Sequence, residues 1–193
     1  MGKWEKALEA YEQAVETGAF LSMGRSSPYY RMGVIYQWKL EPRKTKQALS
    51  AIERAIEENT FRNAWEEADA HYRRGIILKQ QGVAPEAYIA EFNQAVVIHP
   101  EHQMAHVLLG TTYYTLYGDV EMAEEEIRKA LALNPRNKWA YLHLGDVYRQ
   151  AGMCEEAEEA YRRALGIDPE FETARGRFQA LGGSAVSYTH LTL

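Results

Sequence analysis

Three prolines, Pro100, Pro135 and Pro169, recur at nearly equal intervals, and a similar pattern of small and apolar residues precedes each one. A fixed period constrains a chain more than its composition does. It makes the fold a row of similar units, each covering its apolar face with its neighbour. The pattern is clearest over residues 138–171, KWAYLHLGDVYRQAGMCEEAEEAYRRALGIDPEF. Two amphipathic helices are expected there. Tyr141, Leu144, Gly145 and Tyr148 recur at helical spacing in the first, and Ala157, Tyr161, Ala164 and Leu165 in the second. Ala151-Gly152 stops the first helix, because glycine enters the left-handed conformation without steric cost, and Asp168-Pro169 stops the second.

The set Tyr141, Leu144-Gly145, Tyr148, Ala157, Tyr161, Ala164 and Pro169 resembles the tetratricopeptide repeat, a helix-turn-helix unit of about 34 residues. The resemblance implies an all-α fold, a right-handed α-solenoid of stacked helix pairs. Four full repeats are expected, at 27–60, 68–101, 103–137 and 138–171. The first carries Tyr29, Met32-Gly33, Tyr36, Ala48, Ile52 and Ala55, and the second Gly75, Leu78, Tyr88, Phe92, Ala95 and Pro100. The third carries Leu109-Gly110, Tyr113, Ala123, Ile127, Ala130 and Pro135. Ser27-Pro28 reads as the cap and first turn of a helix, and Glu41-Pro42 as the following turn. Ala55 and Gly75 lie further apart in the chain than their counterparts Ala130 and Gly145, so an extra turn is expected at the start of the helix that bears Trp65. Tyr88 stands where a small residue is usual, which implies shifted local packing.

Residues 1–18 match only a second helix, through Ala7, Tyr11 and Ala14, so the natural protein is expected to start further upstream. Residues 172–181 read as a capping helix that covers the stack with Ala174, Phe178 and Leu181. Residues 182–193, GGSAVSYTHLTL, break the pattern. VSYTHLTL resembles a translated sequencing adapter, so the tail is expected to be disordered and artefactual.

A formal charge of −5 with scattered Lys and Arg argues against nucleic acid, which needs a concentrated basic face. One cysteine, Cys154, excludes an intramolecular disulfide and reads as a half-buried packing residue. No apolar run approaches the ~20 residues of a membrane span, and MGKWEKALEA lacks the apolar core of a signal peptide. A cytoplasmic protein without membrane insertion is expected. No phosphate loop, zinc helix or calcium loop is present, so no cofactor, metal or catalytic residue is assigned. His99, His102 and His106 are read as one packed and two surface histidines rather than a metal site. The acids Glu124–Glu126 and Glu155-Glu156 are read as residues of second-helix starts, favourably placed on the helix dipole.

The stacking that the resemblance implies puts the first helices on a concave face, and the family uses that face to hold peptides. By position, its lining is Tyr30, Arg31, Val34, Gln37 and Trp38; then Tyr72, Arg73, Ile76 and Lys79; then Met104, Val107, Leu108, Thr111 and Tyr114; then Trp139, Leu142, His143, Asp146 and Arg149. The Lys/Asn set with which some members clamp a C-terminal carboxylate does not match here. The expected function is a non-enzymatic scaffold for a protein or peptide segment with apolar anchors and some acidic character. The alternative is a regulatory or partner-docking portion of a larger enzyme or membrane protein whose active domain lies outside this chain. Packing between neighbouring repeats is the competing use of the same residues.

Overall fold

The computed structural model describes residues 2–19, 24–38 and 44–182, so the turn expected at Glu41-Pro42 and the tail from Gly183 lie outside the described residues. Among the described residues there are ten helices and no strand: α1 (Lys3–Thr17), α2 (Ser26–Trp38), α3 (Thr45–Glu58), α4 (Ala64–Gln80), α5 (Pro85–Ile98), α6 (Gln103–Tyr117), α7 (Val120–Leu133), α8 (Lys138–Gln150), α9 (Cys154–Ile167) and α10 (Glu172–Ala180). The fold is the all-α helical repeat that the spacing implied. The described residues divide into two compact units, one up to His102 and one from Gln103 onward.

In the first unit α2 packs on α3 and α4 on α5, with α3 against α4 and α1 against α2. In the second, α6 packs on α7 and α8 on α9, α8 also meets α6 and α7, and α10 lies on α9. Each pair closes over a glycine. An added Cβ at Gly33 would stand 2.5 Å from Ile52 Cδ1, at Gly75 2.5 Å from Phe92 Cε1, at Gly110 2.5 Å from the Ala123 carbonyl oxygen, and at Gly145 2.6 Å from Tyr161 Cε1. The large residue of the second helix therefore occupies the volume that the glycine leaves open.

The four sites differ in what would have to move. At Gly33 the nearest obstacle is the flexible tip of Ile52, whereas at Gly110 it is a main-chain oxygen that no rotamer change can withdraw. Gly110→Ala is expected to cost about 1–3 kcal/mol, the range for overpacking, and more than Gly33→Ala. Urea denaturation of the two variants checks this, and equal losses would count against the close approach at Gly110.

Several helix starts follow directly from local chemistry. Asn63 caps α4, its side-chain oxygen accepting from Glu66 N at 2.9 Å, so the helix has a full turn before residue 68. Asp119 and Asn137 cap α7 and α8 in the same way. α2 starts at Ser26, one residue before the expected cap, and the Ser27 hydroxyl donates to Glu66 Oε2 at 2.6 Å. In α1, Ala7, Tyr11 and Ala14 are half-buried, whereas their counterparts Ala157, Tyr161 and Ala164 are all 0% exposed. Tyr88 is accommodated in the interior, its ring 6.2 Å from that of Phe92. α10 turns Ala174 and Phe178 into the core and leaves most of its other side chains to solvent.

Candidate functional site

In the first unit, α2 and α4 meet along a polar seam. Asp69 is 4% exposed, and its Oδ2 accepts from the Tyr30 hydroxyl at 2.7 Å and from Arg73 Nε. His102 Nε2 stands 3.4 Å from Asp69 Oδ1, and Arg73 Nη1 donates to Gln37 Oε1 at 3.1 Å. One turn earlier, Glu66 accepts from Ser27 and, at 2.9 Å, from Arg31 Nη2. Burial alone would raise the Asp69 carboxyl, but His102, Arg73 and Tyr30 outweigh it and hold the group below the usual carboxylate range. Burial beside that carboxylate pushes the Tyr30 phenol up, and the Tyr72 phenol up to about 12.

This seam changes the reading of the first unit's lining. Tyr30 is interior at 4% exposure, and the Arg73 side chain is only 16% exposed, so both fasten one first helix to the next. Tyr72 is half-buried, its ring centroid 4.8 Å from His102 and 6.3 Å from Phe92. Val34 packs on the Tyr30–Ile52 cluster, Ile76 is half-buried, and Lys79 lies 5.7 Å over the Tyr88 ring, with burial lowering its pKa. Arg31 and Trp38 remain at the surface, with the Arg31 side chain 43% and Trp38 48% exposed.

In the second unit, Val107 and Leu142 are core residues at 0% and 3% exposure, another departure from the expected lining. The physical reason is shared: the centre of a first helix's inner stripe seats the neighbouring first helix, and spacing along one helix does not show that cover. Met104 and Tyr114 pack partly buried on the same core, and Leu108 is half-buried. Trp139 is 45% exposed, with its indole edge-on to Phe171 at 4.7 Å. Lys138, 2.5 Å from Asp168 Oδ2, also approaches Phe171, its Nζ 4.8 Å from the ring centre. Asp146 Oδ1 accepts from the Tyr161 hydroxyl at 2.7 Å, with Arg149 and Arg177 nearby. Burial first, then that carboxylate, pushes the Tyr161 phenol up.

The remaining titratable groups have structural partners. His71 Nδ1 is 2.9 Å from Glu91 and His106 Nδ1 2.8 Å from Glu126, each histidine one turn before its glycine. Burial would raise Glu126, but bonds from His106 and Lys129 hold it low. His102 is buried at 6% exposure, contrary to the surface position expected for it. Cys154 is exposed at the start of α9, not half-buried. Glu155 and Glu156 lie in the first turn of α9, whereas Glu124–Glu126 fall later in α7 and pair with Arg128 and Lys129. Among the described residues no group of three or more His, Cys, Asp or Glu is placed to hold a metal, and no helix is long and apolar enough to cross a membrane.

The tetratricopeptide repeat family model matches residues 40–103 and 117–170. The DnaJ homolog subfamily C member 7 homolog of Schizosaccharomyces pombe is 22% identical over 92% of this chain, and the chain spans 38% of that protein. YrrB, described as a TPR protein with an unusual peptide-binding site, superposes with a TM-score of 0.64 at 21% identity, covering 92% of this chain and 84% of its own. The first TPR of Spaghetti (RPAP3), solved with the HSP90 peptide SRMEEVD, superposes with a TM-score of 0.55 at 21% identity, covering 61% of this chain and 92% of its own. At such identities the likeness to these structures is one of fold.

Proposed function

Since the chain belongs to the tetratricopeptide repeat family, we propose that it is a non-enzymatic scaffold that holds a peptide segment of a partner protein on the inner faces of its first helices. The observation that supports this reading is the exposure of two tryptophans at positions expected to line those faces, Trp38 on α2 at 48% and Trp139 on α8 at 45%. A large aromatic left half in water beside fixed neighbours offers area at small entropic cost, the usual character of a binding hot spot. The peptide-bound Spaghetti structure supports the class of ligand. The acidic preference has narrower support, because Arg31, Arg73 and Arg149 each have a carboxylate of this chain nearby.

The chain covers 38% of the fission yeast relative, so the activity of a whole protein is a separate proposal: the repeats dock a partner for an active domain elsewhere in a longer chain.

A peptide array supplies ligands for the test. Trp139→Ala is expected to weaken their binding by about 2 kcal/mol or more, the scale of a hot spot, with helical circular dichroism at the assay temperature matching the parent. Val97→Ala, at a 72% exposed position on the second helix α5, is expected to leave binding unchanged. Ligands that need Val97 and ignore both tryptophans would overturn the inner-face reading.

A further inference from the structure

The last helix, α10, contributes a charge to the inner face of the second unit that spacing within the repeats did not assign. Arg177 Nε lies 3.3 Å from Asp146 Oδ1, and Arg149 Nε lies 3.7 Å from the same oxygen. Sharing one oxygen at such distances makes the two guanidinium groups close neighbours. The same Oδ1 already takes the Tyr161 hydroxyl at 2.7 Å. Arg149 Nε is buried without a hydrogen-bond partner, since 3.7 Å exceeds hydrogen-bond range. Two cations thus converge on one carboxylate, leaving a local excess of positive charge on a chain whose formal charge is −5. The side chains are 34% and 48% exposed, so both guanidinium groups reach solvent. Trp139 stands two turns before Asp146 on the same face of α8, about 10 Å along the helix axis.

We propose that Arg149 and Arg177 form an acceptor site for the side-chain carboxylate of an Asp or Glu in the partner segment, three or four residues from an apolar side chain that packs on Trp139. This inference rests on the inner-face reading above. Guanidinium forks match a carboxylate bidentately, and a second carboxylate balances the charge that Asp146 leaves uncompensated. An extended segment advances about 3.3 Å per residue, so three or four residues span the distance from Trp139. Asp146 already stands between the arginines, so the incoming group must reach past it. A side chain supplies that reach better than a terminal carboxylate fixed to the main chain.

The test uses short acetylated, amidated peptides with one leucine or tryptophan anchor and one glutamate at spacings of one to six, each matched by a glutamine version. Binding to the full chain is read by fluorescence polarisation. Glutamate at spacing three or four is expected to bind at least ten-fold tighter than its glutamine match. Arg177→Gln, a half-exposed change whose fold is checked by circular dichroism, is expected to bring the two within two-fold. Arg163→Gln on α9, where the arginine pairs with Glu159, is expected to preserve the difference. Equal binding of glutamate and glutamine peptides overturns the site. So does a preference that survives Arg177→Gln, or one that appears only with a free C-terminal carboxylate. Trp139→Ala separates the two readings. Peptides that bind through Trp139 without regard to the acid leave the scaffold reading standing and remove this one. If no peptide depends on Trp139, this site fails, and the scaffold reading fails with it only where none depends on Trp38 either.

Discussion

Replacing Tyr161 by alanine is expected to lower the stability of the second unit by about 3–5 kcal/mol, the range for deleting a large buried aromatic. The ring is 0% exposed and fills the space opposite Gly145, where an added Cβ would stand 2.6 Å from Cε1. The loss combines the cavity with the hydrogen bond to Asp146. Gly145→Leu alone is expected to cost about 1–3 kcal/mol, because its side chain drives into the same ring. The double variant is the sharper measurement. With the ring gone, the leucine enters the vacated volume, so the two losses should fall short of additivity by about 1 kcal/mol or more. Urea denaturation followed by helical circular dichroism gives all three values. Strict additivity would mean that the glycine–tyrosine contact is not what seats α8 on α9.

That contact was legible in the sequence because it obeys a local rule repeated four times. A glycine at a fixed place on the first helix faces Ile52, Phe92, Ile127 or Tyr161 at a fixed place on the second. The alanines around them follow the same period, and so the helix pairs were readable. The lining of the inner face was readable only as a direction. Of the residues expected to line it, Trp38 and Trp139 are exposed, while Tyr30, Val107 and Leu142 are covered. Which residues a neighbouring helix covers depends on how far one helix pair slides over the next, and periodicity within one helix carries no measure of that slide.

The polar seam was invisible for a related reason. Its pairs, Ser27 with Glu66 and Tyr30 with Asp69, are off the repeat period by the insertion that lengthens α4. Asp69 itself keeps the offset before its glycine that Met104 has in the third repeat and Trp139 in the fourth, so a carboxylate stands where those repeats have apolar residues. No consensus position marks it. A serine before a proline reads as a helix cap, although the Ser27 hydroxyl is bonded to a carboxylate on another helix. His102 similarly reads as a surface residue, because Tyr72, the ring packed against it, belongs to a helix that spacing around His102 does not reveal.

The same seam carries the second large effect. Asp69→Ala is expected to destabilise the first unit by about 3–5 kcal/mol, the cost of removing one partner of a buried ion pair. It would leave the Arg73 guanidinium, 16% exposed, without its carboxylate and the buried Tyr30 hydroxyl without an acceptor. Asp69→Asn should cost less, since an amide oxygen still accepts one of those bonds, but it removes the charge and so isolates the pH effect. The folded Asp69 carboxyl is held below its unfolded value, so the unfolded state binds the proton more readily. Its contribution is therefore fully present above the unfolded pKa, about 3.9, and is lost as pH falls through the lower folded value. Acidification in that window should loosen α2 and α4 in the parent protein, whereas Asp69→Asn should already be loosened at neutral pH and change less on acidification. Hydrogen exchange resolved to α2 and α4 reads this within the first unit, apart from Glu126, whose depressed carboxyl acts in the second. An acid dependence in α2 and α4 that is the same in Asp69→Asn as in the parent would show that the seam is held by its neutral hydrogen bonds and not by the charge on Asp69.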